Sequence, residues 1–588
     1  MDLSAKQIHL LCLPTGAFSD IESTPPWHSP DDVLLNGINI GPNTSAELWG
    51  RSTTNPLKRI ETLDPVIRPR WRIDGSGNQG TQFHIVPLFM QDPTPIRIDV
   101  YIPSQDRHPS HLRPALGSAL AFAITDARVA RLGLAQQIVR ALELWTDEAG
   151  QNEIQKMWRE APFGSRIVLD RVAADPKQMK CRFIKDFDSE RQMLSLTALK
   201  AMWKFPATVY PATVDFTQLN LLHQLHDTIS LVSLPGSLAH EQVVFKSTVS
   251  DVKYLYHELK LLLSMPKHPN IMQKPLYIVT GKDRYGGDDK VFGFILPYFP
   301  SGNLADVVSR RKQQGSLTLK DQFRWALQIV EALKFINASP ARFYSELKTD
   351  NLLLDRDDNI LFIDFEQMGN WITFSAPEIH YLEYCARLTK SDLVPEAQRL
   401  RYKELLSAFV PDQEVNHVYD NPSDGYYVAW NSLTPEERVA AEVYSLGKTL
   451  WCIFEGCVDT RNSTLKAFKV DSGQEFPTFV RTPQNIRDLI LRCVKGNRDG
   501  EPERVEAIRI GAQVLPRDHS VATEKQAMFA AKRMWQIRVD EMMIFLDARL
   551  RYKHHEPMEN DQELLGYMLR PSLDEVLGVL QEEERRIS

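Results

Sequence analysis

The most restrictive feature of the sequence is one block, residues 343–366, in which two apolar runs flank a cluster of turn-forming residues. The block reads FYSELKTDNLLLDRDDNILFIDFE, with the turn cluster RDDN at residues 356–359. Apolar runs on both sides of such a cluster predict a tight β-hairpin. The hairpin would bring the amide of Asn351 beside the carboxylate of Asp364, which stands thirteen residues later. The sequence therefore predicts two polar side chains side by side at one end of the hairpin.

The side chains at this end of the hairpin are of the kind that binds a hard cation. Amide and carboxylate oxygens suit Mg²⁺, which takes a few protein oxygens together with phosphate and water. Glu346 precedes Asn351 by five residues in the same loop and could accept a proton there. Asn351 and Asp364 are therefore candidate metal ligands, and Glu346 is a candidate general base.

A second candidate group lies upstream, where a predicted helix follows a predicted strand. Lys246 ends the apolar run VVF at residues 243–245, and residues 251–264 read as a helix that carries Glu258. A lysine that emerges from a buried strand needs a carboxylate or phosphate partner, because an unpaired buried charge is costly. Lys246 and Glu258 are therefore candidates for an ion pair, either purely structural or part of a nucleotide site.

These segments and the landmarks around them resemble the protein kinase family over residues 215–588. Seven motifs have counterparts in the family's order: VVFK at 243–246 for the VAIK strand, Glu258 for helix C, YSELKTDN at 344–351 for HRDLKxxN, DFE at 364–366 for DFG, APE at 376–378, EVYSLG at 442–447 for DVWSLG, and RPS at 570–572. The resemblance implies a protein-kinase-like fold that uses ATP and Mg²⁺ to phosphorylate protein serine or threonine. The arrangement is also similar to kinase-like proteins of filamentous fungi.

The resemblance further implies a role for each candidate residue. Lys246 would contact the α- and β-phosphates of ATP and pair with Glu258, while Asn351 and Asp364 would hold Mg²⁺. Lys348 would stabilise the charge on the transferring phosphoryl group, in the same loop as the candidate base.

Other counterparts of family positions lie beside the nucleotide or in the core. Leu296 resembles the gatekeeper, and Phe299 would donate its backbone amide to the adenine. Leu262, Tyr344 and Phe365 would build the hydrophobic spine. The APE glutamate, Glu378, would pair with Arg570.

The sequence departs from the family pattern in ways that bear on activity. Residues 226–232, where the glycine loop is expected, contain no glycine, and backbone amides approach phosphates less closely when side chains intervene. Glu346 replaces the catalytic aspartate, and Glu366 replaces the DFG glycine. The segment from Asp364 to Glu378 is short and contains Trp371, and Ser345 replaces the HRD arginine, which argues against activation by phosphorylation of this segment.

Two functions follow from this mixture of retained and altered positions. The first is ATP-dependent phosphoryl transfer to protein Ser/Thr residues. The alternative is a pseudokinase that acts as a nucleotide-binding or interaction scaffold. A small-molecule kinase is disfavoured by Lys348 and the APE segment. ATP and a protein substrate or protein partner are the expected ligands.

The composition excludes several other classes of protein. The 588 residues include 69 Lys plus Arg against 76 Asp plus Glu, a formal net charge of -7, so there is no electrostatic signature of a nucleic-acid partner. The six cysteines form no CxxC pair and are read as reduced. No apolar run approaches the roughly 20 residues that span a bilayer. We expect a cytoplasmic or nuclear protein that does not associate with membranes.

The expected organisation is α+β: a two-lobed protein-kinase-like fold with an N-terminal α+β accessory region and two C-lobe insertions. The accessory region takes residues 1–204, with strands at 83–89 and 96–102 and helices at 115–148 and 189–202. A GxGxxG match at residues 75–80 is read as a hairpin tip, because a strand follows it. The N-lobe takes residues 205–299 and the C-lobe 300–588, with insertions near 381–435 and 497–566. A helical pattern at 521–552 either packs on the C-lobe or binds a partner.

Overall fold

The structure of the chain is a computed structural model. It describes residues 66–77, 82–90, 98–101, 133–169, 175–236, 242–370, 373–390, 394–410, 418–423, 425–460, 476–497, 507–510, 513–516 and 524–587.

The first unit of the fold is a five-stranded sheet with helices packed against it. Trp71 lies at the centre of its core, donates its indole N–H to Thr146 over 2.8 Å, and packs against the rings of Trp145 and Trp158. The strands follow the order β1-β2-β3-β4-β5. The elements are β1 Trp71–Gly77, β2 Gln82–Pro87, β3 Ile98–Tyr101, α1 Gly133–Ala149, α2 Gln151–Glu160, β4 Arg166–Leu169, β5 Cys181–Ile184, α3 Asp188–Gln192 and α4 Leu196–Trp203.

Most predictions for this region agree with the structure where it describes the chain. The predicted strands at 83–89 and 96–102 are β2 and β3, and the glycine-rich match begins in β1, which pairs with β2 as a hairpin. Of the predicted helix 115–148, residues 115–132 lie outside the described residues. The single helix predicted at 189–202 is wrong: α3 and α4 are separate, because Ser195 caps α4 by accepting the amide of Ala198 over 3.1 Å.

The second unit is a six-stranded sheet with strand order β6-β10-β11-β9-β8-β7. The predicted run at 243–246 lies in one of its strands, the predicted helix at 251–264 is present, and that helix packs against the sheet. The elements are β6 Thr213–Asp215, β7 Asn220–His226, β8 Ile229–Ser233, β9 Gln242–Ser247, α5 Val252–Ser264, β10 Tyr277–Lys282 and β11 Asp289–Pro297.

The third unit is largely helical and contains the predicted hairpin as β12 and β13. Helix α11 forms its centre, since every residue from 441 to 455 is buried, including the charged residues Glu442, Lys448 and Glu455. The elements are α6 Leu304–Gln313, α7 Leu319–Ala338, β12 Leu352–Leu354, β13 Ile360–Phe362, α8 Pro377–Thr389, α9 Glu396–Ser407, α10 Val428–Asn431, α11 Pro435–Glu455, α12 Gln484–Cys493, β14 Ala507–Ile510, β15 Gln513–Pro516, α13 Glu524–Lys553, α14 Asp561–Leu564 and α15 Leu573–Ile587.

Helix α13 corresponds to the helical pattern predicted at 521–552. In its C-terminal half, Met542 and Leu546 are fully buried, and the ring of Phe545 lies 5.2 Å from that of Tyr381 on α8. This half packs on the helical unit, as one of the two interpretations predicts. None of the helices in the described part of the chain is both long and apolar enough to cross a membrane.

The five-stranded sheet is bonded directly to the outer strand of the six-stranded sheet. The carboxylate of Asp74 in β1 accepts the amide of Gln224 over 2.8 Å and lies 2.8 Å from the Nδ1 atom of His223. Arg72 pairs with Asp74 and donates to the carbonyl of Leu222 over 2.8 Å. These contacts hold β7 from its outer edge and thereby connect the N-terminal region to the hairpin formed by β7 and β8.

A buried ion pair joins the start of α8 to the end of the chain. The guanidinium of Arg570 contacts both carboxylate oxygens of Glu378 at 2.5 and 3.0 Å. It also donates to the carbonyls of Ala440 and Lys495. The pairing of Glu378 with Arg570 is the one that the sequence motifs imply, and it satisfies both charges geometrically.

We predict that Arg570→Met destabilises the protein by about 3–5 kcal/mol, because it leaves the carboxylate of Glu378 buried without its partner. Chemical denaturation followed by fluorescence measures the loss. Arg492→Met is the control, since Arg492 lies 3.5 Å from Glu575 in an exposed pair that contributes only about 0–1 kcal/mol. Equal midpoints for the two variants would contradict a structural role for the buried pair.

Candidate active site

Lys246 lies in the middle of the candidate site. It stands near the end of β9, between β8 and β11, and its side chain is only 4% exposed. Its ammonium group contacts three carboxylates: Glu258 at 2.5 Å, Asp364 at 2.7 Å and Glu366 at 3.0 Å. The contact with Asp364 is a hydrogen bond from the Nζ atom, and the contacts with Glu258 and Glu366 are close ion pairs. The twelve-residue spacing between Lys246 and Glu258 thus permits the predicted pair.

The charges of this cluster shift the pKa of each member. Burial disfavours the charged form of Lys246, but the three carboxylates outweigh it and raise its pKa well above the usual value. Burial raises the pKa of Glu258 to about 7, opposed by Lys246 and reinforced by the negative charge of Asp364. Burial also raises the pKa of Glu366, whereas attraction to Lys246 outweighs burial at Asp364 and lowers its pKa. One ammonium group therefore compensates three acidic groups only in part.

The hairpin places Asn351 and Asp364 beside each other, as predicted. Leu352 pairs with Phe362, and the amide of Ile363 donates to the carbonyl of Asn351 over 3.2 Å. The Nδ2 group of Asn351 donates a hydrogen bond to the carbonyl of Glu346 over 3.1 Å. The acceptor of this side chain is its amide oxygen, which is the atom that would bind a metal ion. Asp364 has a φ of 66°, a left-handed conformation that turns the chain at the end of the hairpin.

The carboxylates around Asp364 are hard oxygen donors, and the ammonium group of Lys246 lies among them in this structure. One carboxylate oxygen from each of Glu258, Asp364 and Glu366 lies within 4.8 Å of the others. Oxygen ligands with excess negative charge are the donor set that Mg²⁺ prefers. Glu366, whose charge the sequence places next to the metal site as an added ligand or a lock on the loop, is thus a member of the charge cluster.

The two predicted catalytic residues lie next to this cluster and are buried. Glu346 is 5% exposed, and its carboxylate accepts the amide of Met368 over 2.7 Å. Burial raises the pKa of Glu346 well above its usual range, and the negative charge of Asp364 adds to the shift while Lys348 opposes it. Lys348 is buried in the same loop. A carboxyl group with a raised pKa is a competent proton acceptor only when it is deprotonated.

The predicted adenine-side residues lie on the neighbouring strand. Leu296 is buried in β11 and pairs with Val244 in β9, two residues before Lys246. Phe299 follows the end of β11, is partly buried against the core, and its carbonyl accepts the amide of Gly302 over 3.2 Å. The structure therefore brings Leu296 close to the lysine strand, while Phe299 lies just beyond it.

The hairpin of β7 and β8 stands where the family has its glycine loop. Ile229 pairs directly with Lys246, so the two side chains lie on the same face of the sheet. Gln224 donates to the carbonyl of His226 over 2.6 Å and accepts the hydroxyl of Ser230 over 2.8 Å. Polar contacts therefore brace the hairpin internally, and side chains occupy the face over which a phosphate chain would lie.

The expected hydrophobic spine is buried, and a glutamate supports it. The ring of Tyr344 lies 5.3 Å from that of Phe365, and both residues are buried, as is Leu262 in α5. The amide of Tyr344 donates to the carboxylate of Glu442 in α11 over 2.5 Å. Tyr344 thus retains the aromatic body that the resemblance implies, although the family motif has histidine there.

The sequence motifs gave no indication of Gln367. Its Oε1 atom lies 2.9 Å from the Nε2 atom of His257 in α5, and its Nε2 atom donates to the carbonyls of Ala341 and Phe343. Gln367 directly follows the DFE motif, but its partners are distant in sequence, so no local pattern could reveal it. Trp371, which the sequence places in the same segment, lies outside the described residues.

Two lobes, a buried lysine–glutamate pair and a hairpin that ends at Asp364 together define a protein kinase fold. The chain matches the protein kinase domain family over residues 239–377. It is also similar to the serine/threonine-protein kinase OXI1 of Arabidopsis thaliana, with 25% identity over 226 residues that cover 35% of this chain and 52% of that protein. The chain thus spans about half the length of this curated relative.

We predict a pH-dependent effect of Glu442→Gln on stability. Burial raises the pKa of Glu442 to about 8, although hydrogen bonds from Tyr344 and Asn337 oppose the shift. The ordinary value is 4.5, so the folded state binds more protons than the unfolded state between these values. Wild-type stability should therefore fall as pH rises from 4.5 to about 8, by up to about 1.4 kcal/mol per pH unit relative to the glutamine variant.

Chemical denaturation at a series of pH values measures the difference between the two proteins. Glu436→Gln, at an exposed position on the same helix, is the matched control and should show no such trend. A constant difference between wild type and Glu442→Gln across this pH range would contradict the prediction.

Proposed function

We propose that the protein is an ATP-dependent kinase that transfers a phosphoryl group to serine or threonine residues of a protein. One observation carries the proposal: Lys246 is paired with Glu258 and lies within 2.7 Å of Asp364, with Asn351 at the end of the same hairpin. A structural pair of Lys246 and Glu258 alone would not require Asp364, at the end of the hairpin, to contact the same ammonium group. The protein kinase domain supports the same conclusion.

Each residue has a distinct part in the proposed reaction. Lys246 holds the α- and β-phosphates of ATP, and Glu258 orients its ammonium group. Asp364 and Asn351 supply the oxygens that hold Mg²⁺, which neutralises phosphate charge when bound. Lys348 stabilises the charge that develops on the transferring group, and Glu346 orients the acceptor hydroxyl or takes its proton.

The neighbouring residues supply the nucleotide site and the organisation of the proposed enzyme. Leu296 and Phe299 line the adenine side. The proposed enzyme consists of an accessory region of residues 1–204, an N-lobe of residues 205–299 and a C-lobe of residues 300–588. A protein substrate or protein partner and a cytoplasmic or nuclear location belong to the same proposal.

A pseudokinase scaffold is the second candidate, and specific contacts favour it. The ammonium group of Lys246 already contacts three protein carboxylates, so a nucleotide phosphate would compete with them for it. The carboxylate of Glu346 is hydrogen-bonded to Met368, and the braced hairpin at Gln224 replaces a flexible glycine loop. Under this alternative the chain binds nucleotide weakly, or serves only as an interaction scaffold.

We predict that Mg-ATP stabilises the wild-type protein in a thermal-shift assay, by about 2.7 kcal/mol at a hundredfold excess over the dissociation constant. Lys246→Met and Asp364→Asn should abolish this stabilisation and reduce transfer of the γ-phosphate about 100-fold or more, because each removes a charged contact to the phosphates or the metal. Lys282→Met, a surface lysine on β10, is the control. If wild type shows no nucleotide-dependent shift, only the scaffold function survives; a shift without lysine-dependent transfer indicates a binding pseudokinase.

A second prediction concerns the length of the side chain at position 346. Glu346→Asp should raise the rate of phosphoryl transfer about tenfold or more. The reason is that misplacing a catalytic carboxylate by about 1 Å can lower the rate around a hundredfold, and aspartate restores the shorter side chain. Glu346→Gln, which keeps the length but removes the base, should lower the rate. Steady-state kinetics with a generic protein substrate distinguishes the variants. Equal rates for all three proteins would show that Glu346 serves only as a hydrogen-bond acceptor for Met368.

A further inference from the structure

Helix α5 carries Glu258, which pairs with Lys246 and accepts the amide of Phe365 over 3.1 Å. Glu258, Asp364 and Glu366 surround the single ammonium group of Lys246. Three carboxylates around one cation leave an excess of negative charge, and like charges at this separation repel each other strongly in a buried site. Repulsion by Asp364 and Glu366 works against the attraction of Glu258 to Lys246, so contacts elsewhere on α5 also bear on the position of Glu258.

A segment of the first insertion supplies these contacts, and we call residues 418–423 and 425–427 the α5 strap. The ring of Tyr426 in the strap lies 5.6 Å from that of Tyr254 and 6.1 Å from that of His257, and the ammonium group of Lys253 stands 5.0 Å from its centre. Farther along α5, Lys260 donates to the carbonyl of Pro422 over 3.3 Å. The strap therefore contacts α5 on both sides of Glu258 in the sequence.

The strap is itself fixed to the N-terminal region. Trp203 at the end of α4 donates its indole N–H to the hydroxyl of Tyr419, and Asn421 donates to the carbonyl of Met202 over 3.2 Å. Tyr419 also packs edge-on against the buried ring of Tyr256 in α5, with the centroids 5.5 Å apart. Helix α5 thus contacts a strap that is bonded to the N-terminal region, and both lie outside the seven motifs.

Gln367 adds a link from α5 to the catalytic loop. His257, the neighbour of Glu258, meets Gln367, which in turn bonds the backbone just before Tyr344. Gly425 of the strap packs on this contact: a Cβ atom there would lie 3.1 Å from His257 and 3.3 Å from Gln367. The position of Glu258 is therefore coupled to the strap and to the catalytic loop through one hydrogen-bonded pair.

We propose that Gln367 and the α5 strap, chiefly Tyr419 and Tyr426, are positioning residues that hold Glu258 against Lys246 without any phosphorylation of the activation segment. In kinases generally, the lysine–glutamate pair must be in place for catalysis, and phosphorylation of the activation loop and the position of helix C control it. Here contacts within the chain do this permanently. The inference rests on the proposed function in one respect, namely that the pair of Lys246 and Glu258 is needed for nucleotide binding.

Hydrogen exchange of the full chain, measured without nucleotide, tests the strap independently of catalysis. Tyr426→Ala and Gln367→Met should increase exchange in α5 at least tenfold and leave helix α7 unchanged. Tyr426→Phe keeps the ring and should stay within about twofold of wild type. Tyr381→Ala, which removes a tyrosine that packs on α13, is the control for general loss of packing. Unchanged exchange in α5 for both Tyr426→Ala and Gln367→Met would overturn the proposal.

Nucleotide binding provides the second measurement. Tyr426→Ala and Gln367→Met should bind Mg-ATP at least tenfold more weakly than Tyr381→Ala when the variants compared have the same melting temperature. Phosphatase treatment of wild type should change neither hydrogen exchange in α5 nor affinity for Mg-ATP. A wild-type protein that needs phosphorylation for protection of α5 would also overturn the proposal. Should wild type bind no nucleotide, the proposed function fails, and hydrogen exchange alone decides whether the strap positions the helix.

Discussion

The ammonium group of Lys246 holds the site together, because it is the common partner of three acidic side chains that come from different parts of the chain. Glu258 arrives on a helix, while Asp364 and Glu366 follow a hairpin of the other lobe. In a buried environment an unpaired member of this group would be strongly unfavourable, so the ion cluster couples the lobes. The three carboxylates carry more negative charge than the one ammonium group neutralises. This excess attracts a further cation, and it also makes the carboxylates repel one another.

The parts of the chain outside the kinase motifs converge on this cluster. Asp74 of the N-terminal sheet holds β7, the first strand of the hairpin that stands over the lysine. Trp203 and Tyr419 join the N-terminal region to the first insertion, which lies along the helix that carries Glu258. Both additions therefore contact elements that adjoin the ion cluster, and they do so through the buried residues Asp74, Trp203 and Tyr419.

Sequence reasoning predicted elements reliably where local signals were strong. The turn cluster between two apolar runs predicts β12 and β13, and the run before Lys246 predicts β9. The prediction failed where a capping residue divides a helical pattern. Residues 189–202 were predicted as one helix, but Ser195 caps a second helix within that range. The roles assigned to Glu346, Lys348, Leu296 and Phe299 stay predictions, because packing alone does not test a chemical step.

Spacing and residue type in the sequence determined which elements form and which polar side chains the hairpin brings together, since a hairpin is a local structure fixed by a few neighbouring residues. Only the tertiary structure decided that Glu366 joins Asp364 on Lys246, that Gln367 meets His257, and that Tyr426 covers α5. These contacts join residues that are more than a hundred positions apart. Their geometry is set by how the sheets and helices pack, and no local pattern of amino acids records it.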